Sequence, residues 1–378
     1  MSKFTKIFAG TPGTDSYSNI VSDVYQDNFD EGIFTGKGIY NVEVFSKVLM
    51  GEIPENTVLS HDLLEGSYLR CGFSTDIMVM DGYPTNYISY KKRLHRWIRG
   101  DYQISKWLGS TLNFNGKEKI NPLNELSKFK ILDNLLRELL PISVLISLFL
   151  YFILKIFSNI KFGAQAVIAL LSLLFPIVLS IVNKVVYKKD GEIQGKSFYH
   201  GISGIRLSVY KCLINLSILP DMAYMHADAI IRSLYRMNVS GEKMLEWTTS
   251  AETEKNSNIS ILAYYKNMFF NIVMAVIVAI LGIIALKFQM LYLAVVLFGL
   301  AILWSVTPSV MWDLSQKLVN EKAINLIDSK DKEYLKEIAK DTWKFFKDNL
   351  NEENNYLPPD NYQDDRKIKL VDRTSSTN

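Results

Sequence analysis

Asp62 stands in the run Ser60-His61-Asp62-Leu63-Leu64-Glu65-Gly66, directly after the apolar pair Val58 and Leu59. A carboxylate at the end of a short strand is well placed to take the proton of a bound hydroxyl. The same residues also suit a helix start, with Ser60 or Asp62 capping a helix that begins at Leu63. A second group lies in KKRLHRWIRGD, Lys91 to Asp101, where Arg93, Arg96 and Trp97 have R-x-x-R-W spacing. Arginines three residues apart share a helical face, and their planar forks match a diphosphate or the rim of a sugar. The indole offers a flat platform for a pyranose. A basic segment ahead of a membrane helix can equally be a patch facing lipid headgroups. The third group is Gly36-Lys37-Gly38-Ile39-Tyr40, preceded by the acid-rich VSDVYQDNFDEG. Its glycines permit close backbone approach to a ligand, although G-x-G is common in turns.

Other chemistries find little support. Cys71 and Cys212 are far apart and form no C-x-x-C pair, which argues against a disulfide scaffold or a zinc module. His61, His95, His200 and His226 never reach the i, i+4 spacing of a helical metal pair. The 42 Lys and Arg nearly balance 39 Asp and Glu, and no long basic block is interleaved with aromatics, so nucleic acid is not an expected partner.

The elements that must position these residues include a membrane part. The chain is 48% hydrophobic and 12% aromatic, too apolar for a wholly soluble protein of 378 residues. A bilayer core of about 30 Å needs roughly 20 apolar residues in a helix. Four such runs occur, in two tight pairs: Leu139 to Phe157 with Gly163 to Asn183, and Met268 to Leu286 with Phe288 to Trp312. Each pair reads as a helical hairpin. Lys128, Lys130, Arg137, Lys184, Lys188, Lys189, Lys317 and Lys322 flank them, so the positive-inside rule puts both termini and the middle loop in the cytoplasm of a multi-pass inner-membrane protein. The opening MSKFTKIFAGTPG has no apolar run of signal-peptide length.

Residues 1–127 mix strand-like runs such as Thr75 to Met80 with Gly and Pro punctuation, which suits part of an α/β domain. Residues 128–186 hold the first hairpin and 267–312 the second. Between them, in 187–266, Asp221 to Met237 reads as an amphipathic helix with Arg232 and Arg236 four apart. That helix either lies along the membrane with its cations toward headgroups or packs on the catalytic domain. Residues 313–378 open with a helix whose Leu335, Ile338, Ala339, Thr342 and Phe346 share a face, then turn polar from Asn351.

In order, a glycine strip, an Asp in a T/H-x-D-like setting, an R-x-x-R-W box and then membrane helices resemble the acceptor-side half of a processive, inverting family-2-type glycosyltransferase. The phrases FAGTPGTDSYSNIVSDVYQDNFDEGIFTGKGIYNVEVF, IPENTVLSHDLLEG and LHRWIRGDYQISKWL are similar to the glycosyltransferase module of cyclic β-1,2-glucan synthases. So are DMAYMHADAIIRSLYRMNVSGEKMLEWTTSAETE and DTWKFFKDNLNEENNYLPPDNYQ with DRTSSTN. The resemblance covers roughly 4–107, 219–256 and 340–378, while the membrane helices match only in kind.

That resemblance implies an α/β, partial glycosyltransferase-A-like core joined to a mostly α region of four transmembrane helices. It implies transfer of glucose from UDP-glucose to a growing glucan with inversion. By the same likeness Asp62 is the base that deprotonates the acceptor hydroxyl. Arg93, Arg96 and Trp97, with His61, hold the donor diphosphate and the acceptor, Arg93 standing where the family's box has glutamine. Gly36, Lys37, Gly38 and Tyr40 line the acceptor channel. Such families hold Mg²⁺ or Mn²⁺ through a D-x-D motif, and the first 60 residues contain none. The expectation is therefore a segment of a longer synthase, with no metal ligand of its own, inactive unless an upstream polypeptide brings the D-x-D half. The rival readings are another processive synthase of the cellulose or hyaluronan kind, and a non-catalytic membrane subunit of a split synthase.

Overall fold

The computed structural model describes residues 2–8, 24–72, 74, 82–158, 197–248, 260–317, 328–352, 355–359, 361–362 and 370–371, without 35, 37 and 115, and scattered positions in 163–181. They form two compact units, Met1–Lys317 and Leu318–Asn378. The first unit is mostly helical. Its helices are α1 Lys3–Phe8, α2 Val24–Phe29, α3 Val42–Leu49, α4 Asp62–Leu69, α5 Tyr87–Gln103, α6 Glu125–Ser158, α7 Ser197–Tyr235, α8 Ile261–Asn267, α9 Phe269–Lys287 and α10 Leu291–Leu314. A hairpin of β1 Thr111–Phe114 and β2 Lys117–Ile120, in register Thr111 to Ile120, lies between α5 and α6.

Among the described residues, three helices are long and apolar enough to cross a bilayer: α6, α9 and α10. Only 28–33% of their most apolar windows is buried. Ile146, Leu150, Phe157, Val276, Ile280, Ile283, Val295, Val296 and Ile302 point outward, an apolar surface that water would not tolerate. These helices are therefore not the core of a soluble protein. Inside the bundle, Val144, Leu148, Phe152, Val278, Ala285, Leu297 and Trp304 pack with Leu219 and Ala223 of α7. Of the expected span over 163–183, 11 positions are described, and all of them except Gly163 are helical. α6 begins at Glu125, well before its apolar run, so its first turns reach into the extramembrane part.

α7 joins the two regions, and Pro220 interrupts it. A proline has no N–H to give the carbonyl four residues back, so Leu216 needs another donor. Trp304 Nε1 of α10 supplies it at 3.0 Å. Asn271 of α9, fully buried, accepts from the Asp221 N–H through Oδ1 at 2.9 Å and donates through Nδ2 to the Ser217 carbonyl at 2.8 Å. Thr307 Oγ1 reaches the same carbonyl at 3.2 Å. The hairpin thus satisfies the kink with its own polar side chains, which buried backbone groups require.

Above this level, a second core of Leu64, Ile98, Tyr102, Ile104, Trp107 and Ile131 packs with Met225, Ala229 and Ile230 of α7. The α/β texture expected of residues 1–127 reduces, among the described residues, to helices and one hairpin; the strand-like run 75–80 lies outside them. Asp62 does not end a strand. It opens α4, whose cap position is His61, without a side-chain cap bond, so neither Ser60 nor Asp62 caps it. A two-residue apolar run is too short to distinguish strand from helix entry.

The second unit contains α11, Ser329–Asn349, capped by Asp328 Oδ1 on the Ser329 N–H, and the short pair β3 Asn361–Tyr362 and β4 Leu370–Val371. The helix expected from Leu335, Ile338 and Phe346 is present.

Candidate functional site

α5 carries the site because successive turns present different side chains to different neighbours. Asn86 caps it, accepting from the Ser89 N–H through Oδ1 at 2.8 Å. At its far end, Gln103 Oε1 accepts from the Leu59 N–H at 2.7 Å, and Gly100 faces Ser60. A Cβ on Gly100 would lie 2.3 Å from Ser60 Cβ, so only glycine lets the 58–62 segment rest against the helix. That contact brings Asp62 close enough to Arg96 for its carboxylate to oppose the fall in the Arg96 pKa caused by burial and by Arg93.

The glycine strip closes on Asp62 from the other side. Gly36 has φ of +81°, and a Cβ there would lie 2.9 Å from Asp62 Oδ1. The strip is held against α4 by Gly66, where a Cβ would come within 2.7 Å of Phe34 Cβ. The Gly32 N–H donates to the Cys71 carbonyl at 2.8 Å. Just before it, Glu31 is buried and meets Lys130 of α6 at 2.9 Å; Lys130 also donates to the Gly32 carbonyl at 3.2 Å. The membrane helix therefore anchors the strip through a buried ion pair.

Arg93, Arg96 and Trp97 separate by role. Arg93 lies over the Trp97 ring, 4.5 Å from its centroid, and donates to the Gly82 carbonyl at 3.3 Å. Both arginines line a half-open cleft of about 590 Å³ between α5 and α7, and there Arg96 stacks over Trp247, 4.7 Å from its centroid. Seven lysines and arginines line this cleft against two carboxylates, Asp228 and Glu246. His95 Nε2 lies 3.0 Å from Asp228 Oδ2, and Arg232 Nε donates to the same oxygen at 2.7 Å. Burial lowers the His95 pKa, outweighing its hydrogen bond to Asp228. Asp228 itself is held below the ordinary carboxylate range: burial pushes upward, but the bonds from Arg232 and His95 prevail. Arg236 reaches Glu246 Oε2 at 2.6 Å.

Arg232 and Arg236 are thus not turned to headgroups. Of the two sequence readings of this helix, the packed one matches the geometry, with α7 against α5 and its cations over the cleft. Among the expected site residues, Asp62, Gly36 and Arg96 come together. Tyr40 stands apart, mostly exposed, its ring tilted against Phe45 with centroids 4.7 Å apart, and Gly38 backs onto the Phe34 ring. Lys37 lies outside the described residues. His61 is engaged by Glu65, with Nδ1 2.8 Å from Oε1, and lies 4.0 Å from Asp62 Oδ1. Sequence reasoning missed His95, Arg99, Asp228, Glu246 and Trp247 as site residues. The available signal was the continuation of the basic face of α5 from Lys92 through Arg96 to Arg99.

One trio among the described residues, His61, Asp62 and Glu65, brings donor atoms within 4.8 Å. It does not fit a magnesium seat. Magnesium takes oxygen ligands, whereas one of the three donors here is an imidazole nitrogen already engaged with Glu65 Oε1 at 2.8 Å, a bond that raises the His61 pKa against the opposing effect of burial.

No family model matches the chain. Over 385 aligned positions and its whole length, however, it is 35% identical to the cyclic beta-(1,2)-glucan synthase NdvB of Rhizobium meliloti (strain 1021). The chain is related to the cyclic beta-(1,2)-glucan synthases. It spans 13% of that synthase's length. The similarity to the glucan synthase runs through the Asp62 segment, α5, α7 and all three membrane helices.

Proposed function

We propose that this chain is the acceptor-side half of a glucosyltransferase with a glycosyltransferase-A-like core, adding glucose from UDP-glucose to a β-1,2-glucan with inversion. The observation that carries the reading is the Asp62 carboxylate set between Gly36 and the charge of Arg96. In an inverting displacement a base removes the proton of the acceptor hydroxyl as that oxygen attacks the anomeric carbon, and the diphosphate leaves from the opposite side with both bonding electrons. Asp62 is the base in this reading. Arg96, at the mouth of a strongly cationic cleft, receives the departing diphosphate, assisted by Arg93. Trp97 and His61 contact the acceptor sugar, and the strip Gly36, Lys37, Gly38 and Tyr40 borders the acceptor's path.

The lysines and arginines flanking the spans support an inner-membrane protein with both termini in the cytoplasm. Residues 1–127 and the α7 region form the cytoplasmic side, and 128–186 and 267–312 the hairpins. A donor half with a D-x-D motif, supplied by another stretch of polypeptide, holds UDP and its Mg²⁺ or Mn²⁺, so the chain alone is inactive.

Membrane vesicles given labelled UDP-glucose test this directly, with the chain alone and with an upstream D-x-D polypeptide. The expected result is β-1,2-linked product only from the pair, abolished by Asp62→Asn. Undiminished synthesis by Asp62→Asn overturns the assignment, and product of another linkage favours a different processive synthase.

A further inference from the structure

The inner wall of the cleft between α5 and α7 holds a cation that neither Asp62 nor the R-x-x-R-W box explains. Arg99 lines the cleft yet is only 6% exposed. One of its terminal nitrogens donates to the Glu246 carbonyl, while its Nε has no hydrogen-bond partner among the described residues. A buried guanidinium N–H without an acceptor is costly, and such an orphan beside a cavity marks the place of an absent acceptor. The neighbouring carboxylates do not fill that need. Asp228 is shared by His95 and Arg232, and the Glu246 carboxylate is taken by Arg236. Burial and the charge of Arg236 both depress the Arg99 pKa, the mark of a site short of negative charge.

His95 stands one turn before Arg99 on the same helix, about a quarter exposed. It faces Asp228 and Arg232 of α7, with Arg99 on its own helix and Arg236 and Glu246 beyond; Lys91 is drawn away to Asp221, and Lys92 lies at the rim. In this company the imidazole is kept neutral by burial and by the surrounding guanidinium groups, and an arriving anion reverses that balance.

We propose that Arg99 and His95 form a phosphate subsite on the inner wall of the cleft, taking a phosphate group of a nucleoside diphosphate, and that His95 gains a proton as it arrives. The subsite rests on the donor-diphosphate reading of this cleft and adds Arg99 and His95 to Arg96 and Arg93. No bond is made or broken: the proton comes from solvent, and the planar fork of Arg99 offers Nε–H to a phosphate oxygen.

The test is calorimetry on the full chain in lipid nanodiscs, titrated with inorganic pyrophosphate and separately with UDP, near neutral pH in two buffers of different ionisation heat. The expected result is binding with net proton uptake by the wild type. Arg99→Gln weakens pyrophosphate at least about ten-fold, as loss of a charge-assisted bond predicts. His95→Gln still binds but takes up no proton. Should Arg99→Gln fail to fold by thermal unfolding, Arg99→Lys, which keeps the charge without the fork, replaces it with the same expectation. Unchanged affinity in the folded Arg99 variant, proton uptake persisting in His95→Gln, or no binding of either anion by the wild type overturns the proposal. Pyrophosphate binding as described together with full glucosyl transfer by Asp62→Asn sinks the reading of Asp62 and leaves the subsite standing.

Discussion

Gly100 of α5 meets Ser60 so closely that a single added carbon would lie 2.3 Å from the serine Cβ. The backbone of Ser60 stands at 2.8 to 3.0 Å, so no side-chain rotation relieves the clash. Gly100→Ala is expected to push the 58–62 segment off the helix at about 1–3 kcal/mol, the usual cost of overpacking. It should also move Asp62 away from Arg96. Thermal unfolding in detergent reads the first effect. Glucan synthesis in the complemented vesicles reads the second, with a loss on the order of 10²-fold for a displacement near 1 Å.

The kink at Pro220 gives a cleaner energetic test. Trp304→Phe deprives the Leu216 carbonyl of its donor and should cost roughly 1–3 kcal/mol, the penalty of an unsatisfied buried polar group. Pro220→Ala restores the missing N–H. In that background Trp304→Phe is expected to cost distinctly less, and a double-mutant cycle on unfolding midpoints measures the coupling.

Glu31 and Lys130 form a pair that is almost wholly buried, 99 residues apart in sequence. Lys130→Met leaves buried Glu31 only the exposed Arg70, at 3.5 Å, as a charged partner, so it is expected to destabilise by up to about 3 kcal/mol, less than for a charge left wholly unpaired. The double variant Glu31→Leu with Lys130→Met should recover most of that loss. Chemical denaturation of the single and double variants decides; equal destabilisation in both contradicts the arrangement.

Asp101 sets a pH dependence. Burial first, and the charge of Glu138 second, raise its pKa from 3.8 to about 7, against the smaller effects of Arg137 and Asn134. The folded state therefore holds a proton that the unfolded chain has already released. The stability linked to this proton is complete below about pH 4 and disappears as pH rises through about 7. Asp101→Asn should flatten that fall, leaving stability near pH 4 little changed and raising it at pH 8. Unfolding curves of both proteins between pH 4 and 8 check the sign.

The membrane spans of α9 and α10 were legible because uncharged runs of that length have few other uses, and α5 because its basic face repeats each turn. The orientation of Arg232 and Arg236 was not. An amphipathic helix announces two faces but not which partner each one meets, and here α5 rather than lipid takes the cationic one. Trp247 sits in an irregular segment after α7, where no periodicity points at it. The pairing of Glu31 with Lys130 depends on a chain path that no local pattern encodes. The helix at Asp62 was one of two readings of that segment, expected one residue later, and Val58 and Leu59 carry no period that would choose it over a strand end.

Asn271 has a mechanical meaning beyond its hydrogen bonds. By gripping the backbone on both sides of the Pro220 bend, it welds the α9–α10 hairpin to α7, while Asp221, beside that grip, holds Lys91 on the rim of the cleft at 2.6 Å. The hairpin and the cleft wall are thereby joined by a short hydrogen-bonded route through Asn271, Asp221 and Lys91.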